Sequence, residues 1–253
     1  MTAPQPALSP FAARPLLIAL ALSAALVFTT VSGDLLRPFL TIDPVKSIPY
    51  LRSALTSLGD VIVIIALVSL AGKRSPAAVI GLAGLSAPVI RPLIWGAAVF
   101  APTLVYSIWK APIAEFEPGL WWTGIGGPFA EELAYRGLAV GVLMRLAGWP
   151  LWPACLLPAA FFGGVHMWQG EDPMSIAGVV AVTGLGGLLF GWLFVRWNYN
   201  LWPAVILHAG LNLQWSIFDL GENAIGGATG NILRLVIVAL AIALTVVLAP
   251  RKR

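Results

Sequence analysis

The chain has 253 residues, of which 59% are hydrophobic and 10% are charged, whereas a typical soluble domain is about 25% charged. Its mean hydropathy is +0.89, and apolar runs recur along the whole chain rather than collecting at one end. This composition excludes an ordinary water-soluble protein. It predicts an all-α polytopic membrane protein that forms a single membrane domain over residues 1–253.

The net charge of +4 does not indicate a nucleic-acid partner, because the basic residues lie between apolar runs rather than in one patch. A single cysteine excludes an intrachain disulfide. The chain has two histidines, so any imidazole chemistry has to use His166 or His208.

Eight apolar segments approach the length of about 20 residues that a membrane-spanning helix needs. They cover residues 15–32, 54–71, 93–109, 126–145, 151–168, 175–195, 200–217 and 232–249. Prolines and glycines punctuate the breaks between them. The pattern therefore predicts about eight transmembrane helices, with no room for a separate soluble domain.

Lysine and arginine are distributed unevenly among these breaks. With the N-terminus in the cytoplasm, the inner breaks and termini carry basic charges alone, namely Arg14, Lys73, Arg74, Arg91, Arg145, Arg196, Arg251, Lys252 and Arg253. The outer breaks carry the acidic residues, namely Asp34, Asp43, Glu115, Glu117, Glu171, Asp172, Asp219 and Glu222, together with four basic ones. This asymmetry satisfies the positive-inside rule. It predicts a multi-pass cell-membrane protein with both termini in the cytoplasm.

The fourth predicted span contains charged residues, which are costly at membrane depth and are therefore candidates for function. Glu131 and Glu132 are followed by Arg136. Helical spacing places Glu132 and Arg136 on one face as an ion pair, whereas Glu131 points about 100° away. A free Glu131 can exchange protons with a water or a substrate. A purely structural knot of all three charges fits this motif equally well.

Two further motifs contain the histidines. Phe162 and His166 share a face of the fifth span, and His208 and Asn212 lie one turn apart on the seventh. Each pair alone is a weak signal, because a histidine on an apolar face is more often a packing residue. Counted from the outer ends of their spans, however, both histidines, Asn212 and Glu131 lie at similar depth. One cavity can therefore hold all of them.

In this order, the three motifs resemble the CPBP (Abi) family of intramembrane proteases, which includes the type II CAAX prenyl endopeptidases. The matching residues are Glu131, Glu132 and Arg136 in EExxxR, Phe162 and His166 in FxxxH, and His208 and Asn212 in HxxxN. The resemblance covers a core of residues 93–217. It implies an endopeptidase that hydrolyses a peptide bond of a peptide or protein substrate in or at the lipid bilayer, prenylated in the case of CAAX substrates.

The resemblance also implies a role for each motif residue. Glu131 and His166 would hold and activate a water for attack on the peptide carbonyl. His208 and Asn212 would stabilise the oxyanion of the tetrahedral intermediate. Glu132 and Arg136 would brace the helix that presents Glu131.

The sequence leaves three alternatives open. Glu131, His166 and His208 also form a ligand set for a catalytic divalent metal such as zinc, although the metal-independent scheme is favoured because no HExxH helix is present. Intramembrane Glu, Arg and His also mark ion-coupled transporters, but the chain shows no internal repeat. A non-catalytic membrane scaffold or immunity protein would retain the same fold.

Other features of the sequence have structural interpretations. The spacings Gly137-x-x-x-Gly141 and Gly187-x-x-x-Gly191 are suited to close helix packing. Asp60, in the second span, has no predicted partner.

Overall fold

The computed structural model describes residues 14–43, 45–115, 117–221 and 223–250. Arg251, Lys252, Arg253 and Glu222, which the charge analysis assigns to sides of the membrane, lie outside these residues. The secondary structure of the described residues is helical, without a strand. The all-α class predicted from the sequence is confirmed.

The described residues form nine helices, which we number in chain order. The first four are α1 (Pro15–Leu36), α2 (Leu51–Gly72), the short α3 (Pro76–Ile80) and α4 (Ile90–Lys110). Helix α5 is continuous and consists of a π-helical segment (Trp121–Gly126), an α-helical segment (Gly127–Glu132), a second π-helical segment (Leu133–Val140) and a last α-helical turn (Gly141–Arg145). The remaining helices are α6 (Leu151–Gly164), α7 (Pro173–Arg196), α8 (Trp202–Ile217) and α9 (Ala228–Leu248). Two 3-10 turns, Gly81–Ala83 and Met167–Gln169, lie in the connections.

Each of the eight predicted spans coincides with a helix, but the count of eight transmembrane helices is not confirmed. Among the described residues, α1, α2, α4, α7 and α9 are long and apolar enough to cross a membrane. Helices α6 and α8 have 14 and 16 residues. At 1.5 Å per residue they reach about 21 and 24 Å, less than the hydrocarbon thickness of about 30 Å. Helix α5 carries three charged residues in its middle, Glu131, Glu132 and Arg136.

The fifth predicted span, residues 151–168, extends too far. Helix α6 ends at Gly164, and His166 lies in the turn that follows it. The physical reason is the pair Gly163 and Gly164. Glycine loses more backbone conformational entropy in a helix than other residues, and it therefore favours helix termination. His166 is therefore presented by a turn rather than by a helix face.

The connection between α2 and α4 packs tightly against α5. A Cβ atom on Gly137 would lie 3.0 Å from the Cβ of Ala83, and one on Gly141 would lie 3.0 Å from the carbonyl oxygen of Leu82. Arg145 Nη1 also donates to that Leu82 carbonyl over 3.4 Å. The predicted small-residue face of α5 is thus used for close packing, with a 3-10 turn as its partner.

Helix α7 uses its small residues to approach α6. A Cβ atom on Gly187 would lie 3.0 Å from both the Cβ of Ala159 and Nη2 of Arg136. A Cβ atom on Gly191 would lie 2.8 Å from Cys155 Sγ. The predicted close packing at these two glycines is therefore present, and it brings α7 against the charged middle of α5.

Helix α7 begins with a capping box. The Asp172 carboxylate accepts hydrogen bonds from the backbone N–H groups of Met174 and Ser175, and Ser175 in turn accepts from the Asp172 N–H. Hydrogen bonds from Ser175 and Met174 hold the pKa of the exposed Asp172 carboxyl below its ordinary value. This cap fixes the point at which the chain turns back after His166.

The basic residues of the inner breaks gather at one end of the bundle, which we call the basic end. Arg145 contacts Leu82, Asn200 Nδ2 donates to the Pro88 carbonyl over 2.9 Å, and Arg196 Nη1 donates to the Pro250 carbonyl over 3.1 Å. The first two contacts join the end of α5 and the start of α8 to the connection before α4, and the third joins the ends of α7 and α9. The described basic residues at this end are Arg14, Lys73, Arg74, Arg91, Arg145 and Arg196.

Candidate active site

Glu131 and Glu132 end the α-helical segment of α5, directly before its second π-helical segment. Wider π-helical turns occur frequently at functional sites. The side chain of Glu132 is 0% exposed, whereas that of Glu131 is 33% exposed. The two neighbouring carboxylates therefore have different surroundings, as the helical spacing predicts.

The buried Glu132 carboxylate makes polar contacts with two other motif residues. Its Oε1 atom accepts a hydrogen bond from Arg136 Nη1 over 3.0 Å and a second from His208 Nδ1 over 2.8 Å. The ion pair with Arg136 is the one predicted from the sequence, and the bond to His208 is additional. Glu132 consequently ties α5 to α8.

Two phenylalanines enclose the charged groups. The guanidinium carbon of Arg136 lies 4.2 Å from the ring centroid of Phe162 and 5.2 Å from that of Phe190. Phe190 also stacks on His208, with centroids 5.0 Å apart. These contacts are cation–π and stacking interactions in a site largely shielded from water. The motif position Phe162 thus acts on Arg136 as well as on its neighbour His166, whose ring centroid is 4.5 Å away.

The orientation of His166 is set by a backbone carbonyl. Its Nδ1 atom lies 2.7 Å from the carbonyl oxygen of Phe162. A carbonyl oxygen only accepts, so Nδ1 carries the proton and, on a neutral ring, Nε2 carries the lone pair. That Nε2 atom lies 4.0 Å from Oε1 of Glu131.

His208 is oriented in the same manner by a carboxylate. Its Nδ1 donates to Glu132, and its Nε2 lies 3.7 Å from Oε2 of Glu131. The Glu131 carboxylate therefore has the Nε2 atoms of both histidines near it. These distances are longer than a direct hydrogen bond, but they allow one water molecule to bridge the carboxylate and an imidazole nitrogen. Of the four residues predicted to share a cavity, the structure thus brings together Glu131, His166 and His208.

Asn212 lies further along α8. Its Nδ2 atom donates to the backbone carbonyl of Thr123 over 3.0 Å, in the first π-helical segment of α5. One helical turn separates it from His208. The amide has a second N–H, which this bond does not use. The structure therefore attaches the predicted oxyanion donor to α5.

Among the described residues, no three His, Cys, Asp or Glu side chains surround a common metal position. The donor chemistry of Glu131, His166 and His208 nonetheless suits a divalent metal. Each histidine donates its Nδ1–H to an oxygen and presents Nε2, which is the usual arrangement around a metal-binding imidazole.

Some contacts near the site were missed by the sequence reasoning. The Tyr135 hydroxyl lies 3.0 Å from Thr29 Oγ1, and the tyrosine is the donor because Thr29 itself donates to the Leu26 carbonyl over 2.7 Å. Asp60 had no predicted partner, and within the described part of the chain its buried Oδ1 atom has no hydrogen-bond partner. One sequence signal for Tyr135 was available, because it lies four residues after Glu131 and shares its side of α5.

Nothing in the sequence indicates that Phe190 and Thr123 lie near the site. Phe190 is an ordinary apolar residue of a long span, and Thr123 contributes only its backbone carbonyl. Their proximity to the motif residues depends on how α7 and α8 pack on α5.

The chain was compared with known protein families, curated proteins and solved structures. Residues 113–214 match the family described as Type II CAAX prenyl endopeptidase Rce1-like. The matched range contains all seven motif residues, from Glu131 to Asn212. No curated protein and no solved structure matches the chain significantly.

Proposed function

From the relationship of residues 113–214 to the CPBP family of CAAX-type membrane peptidases, we propose that the protein is an intramembrane endopeptidase. The observation that carries this proposal is the position of the Glu131 carboxylate, partly exposed and close to Nε2 of both His166 and His208. Its neighbour Glu132 is fully buried and paired with Arg136. One carboxylate is thus available for proton transfer while the other supports it.

In the proposed mechanism, Glu131 and His166 hold the attacking water. The 4.0 Å between Glu131 Oε1 and His166 Nε2 accommodates a water about 2.8 Å from each atom. Glu131 accepts a proton as the water oxygen forms a bond to the scissile carbonyl carbon. The proton then passes to the leaving amine when the C–N bond breaks.

His208 and Asn212 are proposed to stabilise the oxyanion. Because Nδ1 of His208 already donates to Glu132, its Nε2 carries a second N–H only on the doubly protonated ring. The second N–H of the Asn212 amide is the other donor. Two donors at a developing negative charge are the usual composition of an oxyanion site.

The proposed substrate class is a membrane-associated peptide, with a prenylated CAAX-like peptide as the finer proposal. The family match motivates the prenyl group. A fluorogenic peptide prepared with and without a farnesyl group distinguishes a general membrane-associated substrate from a prenylated one. Cleavage of both forms supports a general membrane peptidase, and cleavage of the farnesylated form alone supports prenyl recognition.

The decisive variant is Glu131→Gln, which keeps the side-chain shape and removes the base. We expect a loss of about 10²-fold or more in turnover of that peptide by protein reconstituted in nanodiscs, with an unchanged thermal unfolding midpoint. Glu171→Gln makes the same change at an exposed glutamate outside the site and should retain full activity. Near-normal turnover by Glu131→Gln would exclude the proposed role of Glu131.

A metal-dependent peptidase using Glu131, His166 and His208 is the second candidate. The specific observation in its favour is the presentation of both Nε2 atoms toward one carboxylate. A bound divalent ion such as zinc would supply Lewis-acid polarisation of the water and the carbonyl. Metal analysis of active protein, combined with a chelator, distinguishes the schemes. Stoichiometric metal with chelator-sensitive activity that zinc restores supports the metal scheme, and full activity without metal supports the glutamate scheme.

A further inference from the structure

The outward face of α7 contains an apolar depression, which we call the lateral groove. It has a volume of about 290 Å³ and is lined by Trp152 of α6, by Leu188, Leu189 and Trp192 of α7, and by Ile242 of α9. Helices α7 and α9 are two of the helices long enough to cross the membrane. The groove therefore faces the hydrocarbon of the bilayer and is separate from the charged interior site.

The groove leads to a positive charge. Leu188, Trp192 and Arg196 are spaced by four residues, so they form one stripe along α7. Arg196 lies about 6 Å beyond Trp192 toward the basic end. Its Nη1 donates to the carbonyl of Pro250, which joins the ends of α7 and α9 below the groove. The guanidinium thus lies where the apolar surface meets the membrane interface.

Among the described residues, no acidic side chain neutralises this charge at the basic end. The segments that meet there, residues 73–93, 145–152 and 196–203, contain neither aspartate nor glutamate. Trp152 and Trp192 flank the groove near this end, in the position that tryptophan favours at a membrane interface. The charge of Arg196 is therefore complementary to an anionic group held at headgroup depth.

We propose that the lateral groove binds one anionic phospholipid, with an acyl chain against Leu189 and Trp192 and the phosphate beside Arg196. The combination of an apolar groove with an unneutralised arginine at its interfacial end favours this occupant over a neutral lipid. The acyl chain fills the apolar surface, and the phosphate supplies a counter-charge to the guanidinium in addition to its bond to the Pro250 carbonyl. This site does not depend on the proposed peptidase activity.

The test measures lipid binding to the purified full chain by native mass spectrometry. The probes are phosphatidylglycerol and phosphatidylcholine with identical acyl chains, added separately to protein in detergent. We expect about fivefold tighter binding of phosphatidylglycerol, the effect of one basic residue near an anionic headgroup. Equal affinities for the two lipids would overturn the proposal.

Matched variants locate the site. Arg196→Gln should reduce the affinity for phosphatidylglycerol to that for phosphatidylcholine, and Arg196→Lys should keep the preference. Arg74→Gln removes an exposed charge at the same end but away from the groove, and should change nothing. An equal loss of preference in Arg74→Gln and Arg196→Gln would mean that the preference reflects general surface charge, which contradicts the proposal.

A second pair of variants tests the groove itself. Ile242→Trp fills the groove from α9 and should weaken binding of both lipids several-fold. Leu235→Trp places the same side chain two turns earlier on the same exposed face of α9, outside the groove, and should have no effect. Unaltered binding by Ile242→Trp would exclude the groove as the site.

Discussion

The two glutamates of α5 differ in environment although they are adjacent in the chain. Glu132 is fully buried between Arg136 and His208, and Glu131 is one-third exposed beside both histidines. Helical geometry explains the divergence, because successive side chains point about 100° apart. Chemically identical groups thus acquire different exposure and different partners.

Glu132→Ala should lower the folded stability strongly. Removing the carboxylate leaves Arg136 buried without its counter-charge and His208 without its Nδ1 acceptor, and breaking a buried ion pair costs about 3–5 kcal/mol. Thermal unfolding in detergent and folded yield measure the effect. The double variant Glu132→Ala/Arg136→Met should recover part of the loss, since no uncompensated charge remains. An unfolding midpoint equal to that of the unmodified protein would contradict the supporting role.

The variant Asn212→Ala tests whether the Asn212 amide has a catalytic role or only a structural one. If Asn212 donates to the oxyanion, kcat falls by about 10²–10³-fold, while loss of its bond to Thr123 costs only about 1 kcal/mol of stability. Asn200→Ala is the control, because it also removes a side-chain amide that donates to a backbone carbonyl, at the opposite end of the bundle. Similar kcat values for both variants would exclude Asn212 from the oxyanion site.

At the scale of the elements, the helices that carry the motifs are the least regular. Helix α5 contains two π-helical segments, α6 stops after 14 residues, and α8 has 16. The predicted spans of residues 151–168 and 200–217 are longer than α6 and α8, whereas α5 begins before its predicted span of residues 126–145. These three helices face one another and the charged interior, whereas the five long helices have more surface for lipid.

Gly187→Ala should disturb the packing of α6, α7 and Arg136 together. The added methyl would lie 3.0 Å from both Ala159 and Arg136 Nη2, and overpacking of this kind costs about 1–3 kcal/mol. Gly186→Ala, at the adjacent position, meets only Phe190 at 3.8 Å, an ordinary contact. Thermal unfolding of the pair should show a loss for Gly187→Ala and none for Gly186→Ala. Equal midpoints would contradict the close contact.

At the scale of the whole molecule, the charges are divided between the two ends of the bundle. The basic residues of the inner breaks gather at one end, and His166 lies in a turn at the other. Under the positive-inside rule, the basic end faces the cytoplasm and the His166 turn faces the opposite side. A cytoplasmic CAAX tail would approach from the basic end, so the orientation also bears on the substrate class.

Cysteine labelling tests this orientation. In a Cys155→Ser background, Glu171→Cys lies beside the His166 turn and Arg74→Cys lies at the basic end, both at exposed positions. A membrane-impermeant maleimide applied to intact cells should label Glu171→Cys and should reach Arg74→Cys only after permeabilisation. The reverse pattern would invert the predicted topology and would favour a cytoplasmic substrate.

The sequence by itself determined the all-α membrane class, the motif residues and the ion pair between Glu132 and Arg136. These conclusions depend on composition and on spacings within one helix, which any α-helical chain preserves. The tertiary structure alone decided the bond from His208 to Glu132, 76 residues apart, and the bond from Asn212 to Thr123, 89 residues apart. Contacts at such separations depend on how the helices pack against one another, which the residue spacing within one helix does not specify.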